Sequence, residues 1–120
     1  WLEAIRNAGI WLPVDVGIMP ILDQAATINM ALSRNGCVMD RKLCEIISKN
    51  WIFPSPFDKE PFDADVAGKK ESFKKAGIEY TINQIDEYRA CGVDGIHLYA
   101  LNKYDDVAYI AKEAGLIDLV

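Results

Sequence analysis

The side chains able to do chemistry gather at one point of the chain. Val93-Asp94-Gly95-Ile96-His97-Leu98-Tyr99-Ala100-Leu101 is an apolar run that ends in Asn102-Lys103. Its even positions Ile96, Leu98 and Ala100 are apolar, and its odd positions Gly95, His97, Tyr99 and Leu101 include the polar groups. A strand alternates faces with period two, so this run turns one face to covering helices and the other to a barrel interior or cleft. Polarity rises toward its C-terminal end, where parallel α/β folds place their sites. Tyr99 is open between a packed aromatic with its hydroxyl satisfied and a site residue, and the run leads straight into Asn102-Lys103. His97 is the sole histidine. It reads as a structural imidazole satisfied inside the fold, with a proton donor as the alternative.

A second apolar run, Pro13-Val14-Asp15-Val16-Gly17-Ile18-Met19-Pro20-Ile21, carries Asp15. An unpaired carboxylate in a covered strand is costly, so Asp15 needs either an ion-pair partner or a pocket. Asp94 reads as a turn residue leading into its strand, and Gly17 and Gly95 as positions of close packing. Cys37, Cys44 and Cys91 contain no C-x-x-C pair, against both a disulfide framework and a zinc cluster. They read as buried small hydrophobes, since a catalytic thiol needs a nearby base and His97 is the one histidine.

The elements that must hold these residues repeat one pattern. Arg6-Asn7-Ala8-Gly9-Ile10, Lys74-Lys75-Ala76-Gly77-Ile78, Arg89-Ala90-Cys91-Gly92-Val93 and Lys112-Glu113-Ala114-Gly115-Leu116 each read as a helix end, with glycine as an αL cap and a basic residue against the helix dipole. Helix, glycine and strand in that order form the αβ turn of a parallel sheet. Between the strands, Asp23 can cap a helix to about Ser33, stopped by Asn35-Gly36, and Asp40 can cap a second with Leu43, Cys44, Ile46 and Ile47 on one face. Ile78–Ala90 and Tyr104–Ala114 read as two more, the last packing Val107, Ile110 and Ala111 inward. Residues 51–65 differ: three of the five prolines and three of the four phenylalanines lie there. That density forbids a regular helix and a merely solvated linker, and predicts an ordered excursion whose aromatics pack on the body or a partner. A lid over a site is the alternative.

The 120 residues are 51% hydrophobic and 26% charged, an ordinary globular mix, and the formal net charge of -5 disfavours nucleic acid and anionic membranes as partners. No apolar run approaches the roughly 18–20 residues of a transmembrane helix, and no secretory pattern opens the sequence, so a cytoplasmic protein is expected. Two parallel strands with their helices make an unstable sheet alone. The order helix, strand, helices, strand, helix is a slice of a repeating β/α array. The opening within a helix and the missing initiator methionine suit the same view. The expected fold is α/β, with residues 1–120 as the C-terminal portion of a (β/α)8 TIM barrel that needs typically about 250 residues. A compact non-barrel α/β domain is the alternative.

Gly17-Ile18-Met19-Pro20-Ile21 and Gly92-Val93-Asp94-Gly95-Ile96-His97-Leu98-Tyr99-Ala100-Leu101-Asn102-Lys103 together resemble the last two strands of the methylenetetrahydrofolate reductase family. Lys75-Ala76-Gly77-Ile78-Glu79-Tyr80-Thr81-Ile82-Asn83-Gln84-Ile85 is similar to the family's connecting helix, in family order. The resemblance implies a flavin-dependent barrel that reduces 5,10-methylenetetrahydrofolate to 5-methyltetrahydrofolate by hydride transfer from reduced FAD, with NAD(P)H as electron donor. It implies that Tyr99 and Leu101 wall the folate and flavin cleft, that Asn102 and Lys103 begin the loop beyond it, and that Lys103 stands where an arginine meets the glutamate tail of folate. Lysine supplies the charge without the bidentate fork. Ala100 replaces a usual threonine, Asp15-Val16 replaces a more frequent Ile-Pro or Ala, and the 51–65 excursion is unlike the family. The family's general-acid glutamate lies on an early strand and most FAD contacts on middle strands, so no catalytic residue is assigned within these residues. The resemblance leaves the assembly open between a homo-oligomer and a partner redox subunit. A degenerate paralogue or other pterin- or flavin-binding barrel, and a non-catalytic interaction module, are the competing readings.

Overall fold

A computed structural model describes residues 1–34, 37–57 and 65–117. In chain order the elements are α1 (Leu2–Asn7), β1 (Asp15–Ile18), α2 (Gln24–Leu32), α3 (Arg41–Lys49), α4 (Val66–Ala90), β2 (Gly95–Leu98) and α5 (Tyr104–Glu113). They divide into two compact units: residues 1–20 with the described residues from Tyr80 onward, and residues 21–79. The boundary falls within α4.

The first unit holds the sheet. β1 and β2 pair in parallel, with Asp15 level with Gly95, Val16 with Ile96, Gly17 with His97 and Ile18 with Leu98. Both strands are shorter than the apolar runs that contain them. Pro13 and Pro20 flank β1 and lack the N–H that a ladder needs. β2 ends before Leu101 and Asn102, which adopt φ of 45° and 64° and turn the chain out of the sheet. Among the described residues the sheet is covered on one face: Val16, Ile18, Ile96 and Leu98 are buried or half-buried, whereas Asp15, Gly17 and His97 are exposed. Strands buried on both faces were the expectation, and the parity within β2 is as expected. The core of this unit is Leu2, Ile18, Thr81, Ile85, Ile110, Ala111 and Ala114.

Gly9, Gly92 and Gly115 take φ of 81°, 87° and 68° after α1, α4 and α5, the left-handed caps the sequence predicts. The two arginines near these ends do more than face a dipole. Arg89 donates from Nη1 to the Ala114 carbonyl, 2.7 Å, capping α5 rather than its own helix. Arg6 donates to the carbonyls of Ile10 and Leu12 and, at 3.0 Å, to Asp94 Oδ2. The same carboxylate oxygen accepts from the Val14 N–H at 2.8 Å, and the Asp94 N–H donates to the Val14 carbonyl at 2.9 Å. Asp94 is thus the turn residue expected, and also the centre of a clasp binding both strand starts to α1.

The second unit packs α2, α3 and the first half of α4. Asp23 and Asp40 cap α2 and α3 through bonds from the Ala26 and Leu43 N–H groups, each 2.8 Å, as expected. The stop assigned to Asn35-Gly36 lies outside the described residues; α2 ends at Leu32, with Ser33 as its C-cap. Leu43 and Ile47 are the buried positions of α3. Gln24 is buried and fully engaged. Its amide donates to the Ile47 and Asn50 carbonyls, at 3.0 and 3.1 Å, and accepts from the Ile52 N–H. It therefore gives the Asn50 carbonyl a donor beyond the end of α3 and adds a second one to the Ile47 carbonyl, which also accepts from the Asn50 N–H.

The helix stop at Gly77 is not found. α4 runs unbroken for 25 residues, from Val66 to Ala90. Gly77 serves packing instead of a left-handed turn: a Cβ there would strike the Ile21 carbonyl oxygen and lie 2.8 Å from Ile21 Cγ2. Phe73, Gly77, Thr81 and Ile85, spaced by four, form the buried stripe of α4, with Ile78 and Ile82 half-buried. Within the 51–65 excursion, Trp51 and Phe53 meet edge to face with centroids 5.3 Å apart. Phe57 stands 89% exposed, against the expectation that the aromatics pack, and residues 58–64 of that excursion lie outside the described residues.

Candidate functional site

The C-terminal edge of β1 and β2, together with the open sheet face, brings most of the sequence-predicted residues together. Gly17 and His97 are register partners on that face, and Tyr99 continues the ladder by donating its N–H to the Ile18 carbonyl at 3.1 Å. The Tyr99 ring leans across to β1. Its Cε2 and hydroxyl oxygen lie 2.9 and 3.0 Å from where a Cβ on Gly17 would sit, so the ring occupies the space the glycine leaves. The His97 ring meets it edge to face, with centroids 4.7 Å apart and planes at 69°. Tyr99 keeps 46% of its surface exposed.

Beyond Tyr99 the chain makes a tight turn. The Lys103 N–H donates to the Ala100 carbonyl at 2.9 Å, and both central residues, Leu101 and Asn102, have positive φ. That is the pattern of a type I′ turn, which favours asparagine and glycine. Asn102 suits it; Leu101 does not, since a side chain with a Cβ and no local hydrogen bond is strained there. Leu101 is held 71% exposed at the strand tip. Lys103 takes the N-cap position of α5 with no side-chain cap, and the first turn beyond it carries Asp105 and Asp106. These acids complement the helix dipole and make this N-terminus a poor seat for phosphate.

Three expectations are corrected here. His97 is exposed on the open face rather than satisfied in an interior, because among the described residues nothing packs on the odd-numbered side of β2. Asp15 is exposed for the same reason, its carboxylate lying against Gly95. The cysteines are all exposed rather than buried. Cys44 sits one residue from Leu43, about 100° round the helix from the buried stripe, and Cys91 follows the last turn of α4.

The sequence reading missed the turn at Leu101-Asn102, although Asn102 just before a helix was a usable sign of left-handed backbone. It also missed the seat of Tyr99 on Gly17, for which a glycine in a strand was the available sign. The second unit has a cavity of about 20 Å³ beside Gln24, Asn50, Lys69 and Phe73, room for a water molecule and no substrate. Among the described residues no cluster of ligating side chains fits a metal ion, and no helix is long and apolar enough to cross a membrane.

No protein-family model matches the sequence, and no curated protein matches it at a significant level.

Proposed function

We propose that these residues form the closing strand pair of a flavin-dependent (β/α)8 barrel of the methylenetetrahydrofolate reductase type, and that the β1–β2 edge is one wall of its folate and flavin cleft. The observation that carries this reading is the pairing itself. The two motif-bearing stretches, far apart in sequence, lie side by side with Gly17 level with His97. Tyr99, Leu101, Asn102 and Lys103 then follow at the strand tip, on the side where such barrels bind ligands.

The residues suit a flat ring and not a phosphate. Tyr99, seated on bare backbone at Gly17, supplies an aromatic wall, and Leu101 an apolar tip. Asp105 and Asp106 make the start of α5 unsuited to the phosphates of FAD, whose remaining contacts belong in this reading to other strands of the barrel. Bound FAD would supply the hydride chemistry, fed by NAD(P)H. The work of this chain is to wall the ring with Tyr99, exclude water with Leu101, and meet polar and carboxylate parts of the substrate with Asn102 and Lys103. Among the described residues Lys103 Nζ has no ion-pair partner, so its charge is available to a substrate carboxylate.

The test is spectroscopic. The intact protein should show a flavin spectrum that NADH bleaches and methylenetetrahydrofolate restores; a protein without bound flavin, or a reduced flavin that methylenetetrahydrofolate leaves bleached, overturns the reading. Lys103→Ala should raise the folate KM several-fold with kcat little changed, and an unchanged KM removes Lys103 from the site. The 120 residues alone should form no stoichiometric yellow complex. The exposed Phe57 and the exposed pair Trp11 and Leu12 favour one second reading, a non-catalytic interaction module, which a flavin-free protein that binds a partner through these side chains would support.

A further inference from the structure

Gly17, His97 and Tyr99 form one mechanical unit of which the proposed function uses only Tyr99. A tyrosine at a strand tip with nothing to hold it samples several rotamers and loses that freedom on binding a ligand. Here the ring is already held from two sides: its Cε2 and hydroxyl oxygen fill the notch at Gly17 and the His97 ring abuts it, while the backbone N–H of Tyr99, bonded to the Ile18 carbonyl, fixes where the side chain starts. Any L-residue other than glycine at position 17 would need the space that the phenol occupies.

We propose that Gly17 and His97 are positioning residues that fix the Tyr99 ring as a preset stacking wall for a flat heteroaromatic ligand of the pterin or isoalloxazine class. The ligand class rests on the function proposed above; the seat itself does not. The hydroxyl oxygen of Tyr99 lies close to the β1 backbone at Gly17, and the residue still keeps 46% of its surface exposed. A ring fixed before binding costs less to use, which raises affinity without any added contact. Exchange of the glycine therefore acts on ligand binding through Tyr99, not through a contact of its own.

The seat is tested by a double-mutant cycle on thermal stability. Gly17→Ala should lower Tm by about 5 °C, and in a Tyr99→Ala background the same change should cost less than half as much, because the obstructing ring is gone. Additive losses overturn the seat, whether or not the single variant is weakly folded. The wall is tested by titrating FAD and folic acid against the intact protein and following tryptophan fluorescence. Gly17→Ala should weaken binding roughly tenfold, as Tyr99→Ala does, and His97→Ala roughly threefold. Coupled stabilities with unchanged affinities overturn the wall and leave a purely structural aromatic cover over a glycine. A wild-type protein that binds neither ring also overturns it. A wild-type protein that binds a ring with these sensitivities yet does not reduce methylenetetrahydrofolate upholds the wall and refutes the proposed reaction instead.

Discussion

Replacing Gly77 by alanine sets two general effects against each other, and the structure decides the winner. In the interior of an exposed helix, glycine to alanine gains about 1 kcal/mol, because glycine loses the most backbone freedom on folding. Gly77 is buried in the middle of α4, and its missing Cβ is what lets the helix lie against Ile21. Overfilling a packed site costs about 1–3 kcal/mol. The upper end applies here, since the nearest obstacle is the main-chain carbonyl of Ile21, and only the more distant Cγ2 belongs to a side chain that can rotate away. The net expectation is a loss of about 1–2 kcal/mol, or a fall in Tm of about 4–8 °C for a chain of this size. Thermal unfolding followed by circular dichroism at the helix band reads this directly. Lys75→Ala, on the exposed side of the same helix, should change stability by no more than about 0.5 kcal/mol and serves as the reference. If Gly77→Ala is as stable as wild type or more so, the close approach to Ile21 is not what selects glycine at this position, and the packing argument fails.

Leu101→Asn should relieve left-handed strain of about 1 kcal/mol while losing little burial, so a Tm that does not rise by a few degrees would count against the turn geometry. Under the proposed function the same variant should weaken ring binding, separating stability from affinity. Asp94→Ala strips the clasp of both its bonds and should cost about 1–3 kcal/mol in urea unfolding; Asp94→Asn keeps an acceptor for Val14 and should lose less than half of that. Equal losses would show that the acceptor does not matter. Gln24→Leu leaves the Ile47 and Asn50 carbonyls without their amide donor and should cost about 2–3 kcal/mol. A neutral result would mean that water replaces the amide freely.

Element type was legible where it depends on local chemistry. Asp23 and Asp40 announce helix starts because a short carboxylate can accept from the N–H three residues on, and the structure has both bonds. Gly9, Gly92 and Gly115 announce helix ends because only glycine takes positive φ at no cost. Gly77 sits in a like local sequence, with a basic residue three positions before the glycine and an alanine between them, but its role is set by Ile21, far away in the chain. No local rule separates a glycine that turns from a glycine that packs. Burial failed for a related reason. Asp15, His97 and the cysteines were given interiors because their neighbours are apolar, yet an apolar neighbourhood in sequence does not say which side of a strand or helix is covered. At the candidate site, the parity of β2 correctly separated the covered side from the side bearing His97 and Tyr99. The lean of Tyr99 onto Gly17 was invisible, because it requires the register between two strands that lie far apart in the sequence.

The exposure of the thiols turns the chain into its own measuring device. Cys44 belongs to one compact unit and Cys91 to the other, and both stand in solvent. With Cys37→Ser, a donor and an acceptor fluorophore on these two sulfurs report on two units that share α4, a helix about 37 Å long at 1.5 Å per residue. One narrow distance distribution corresponds to α4 acting as a stiff rod. Two distributions correspond to a hinge, and the bend would then be sought near the unit boundary at Glu79 and Tyr80, two residues beyond Gly77.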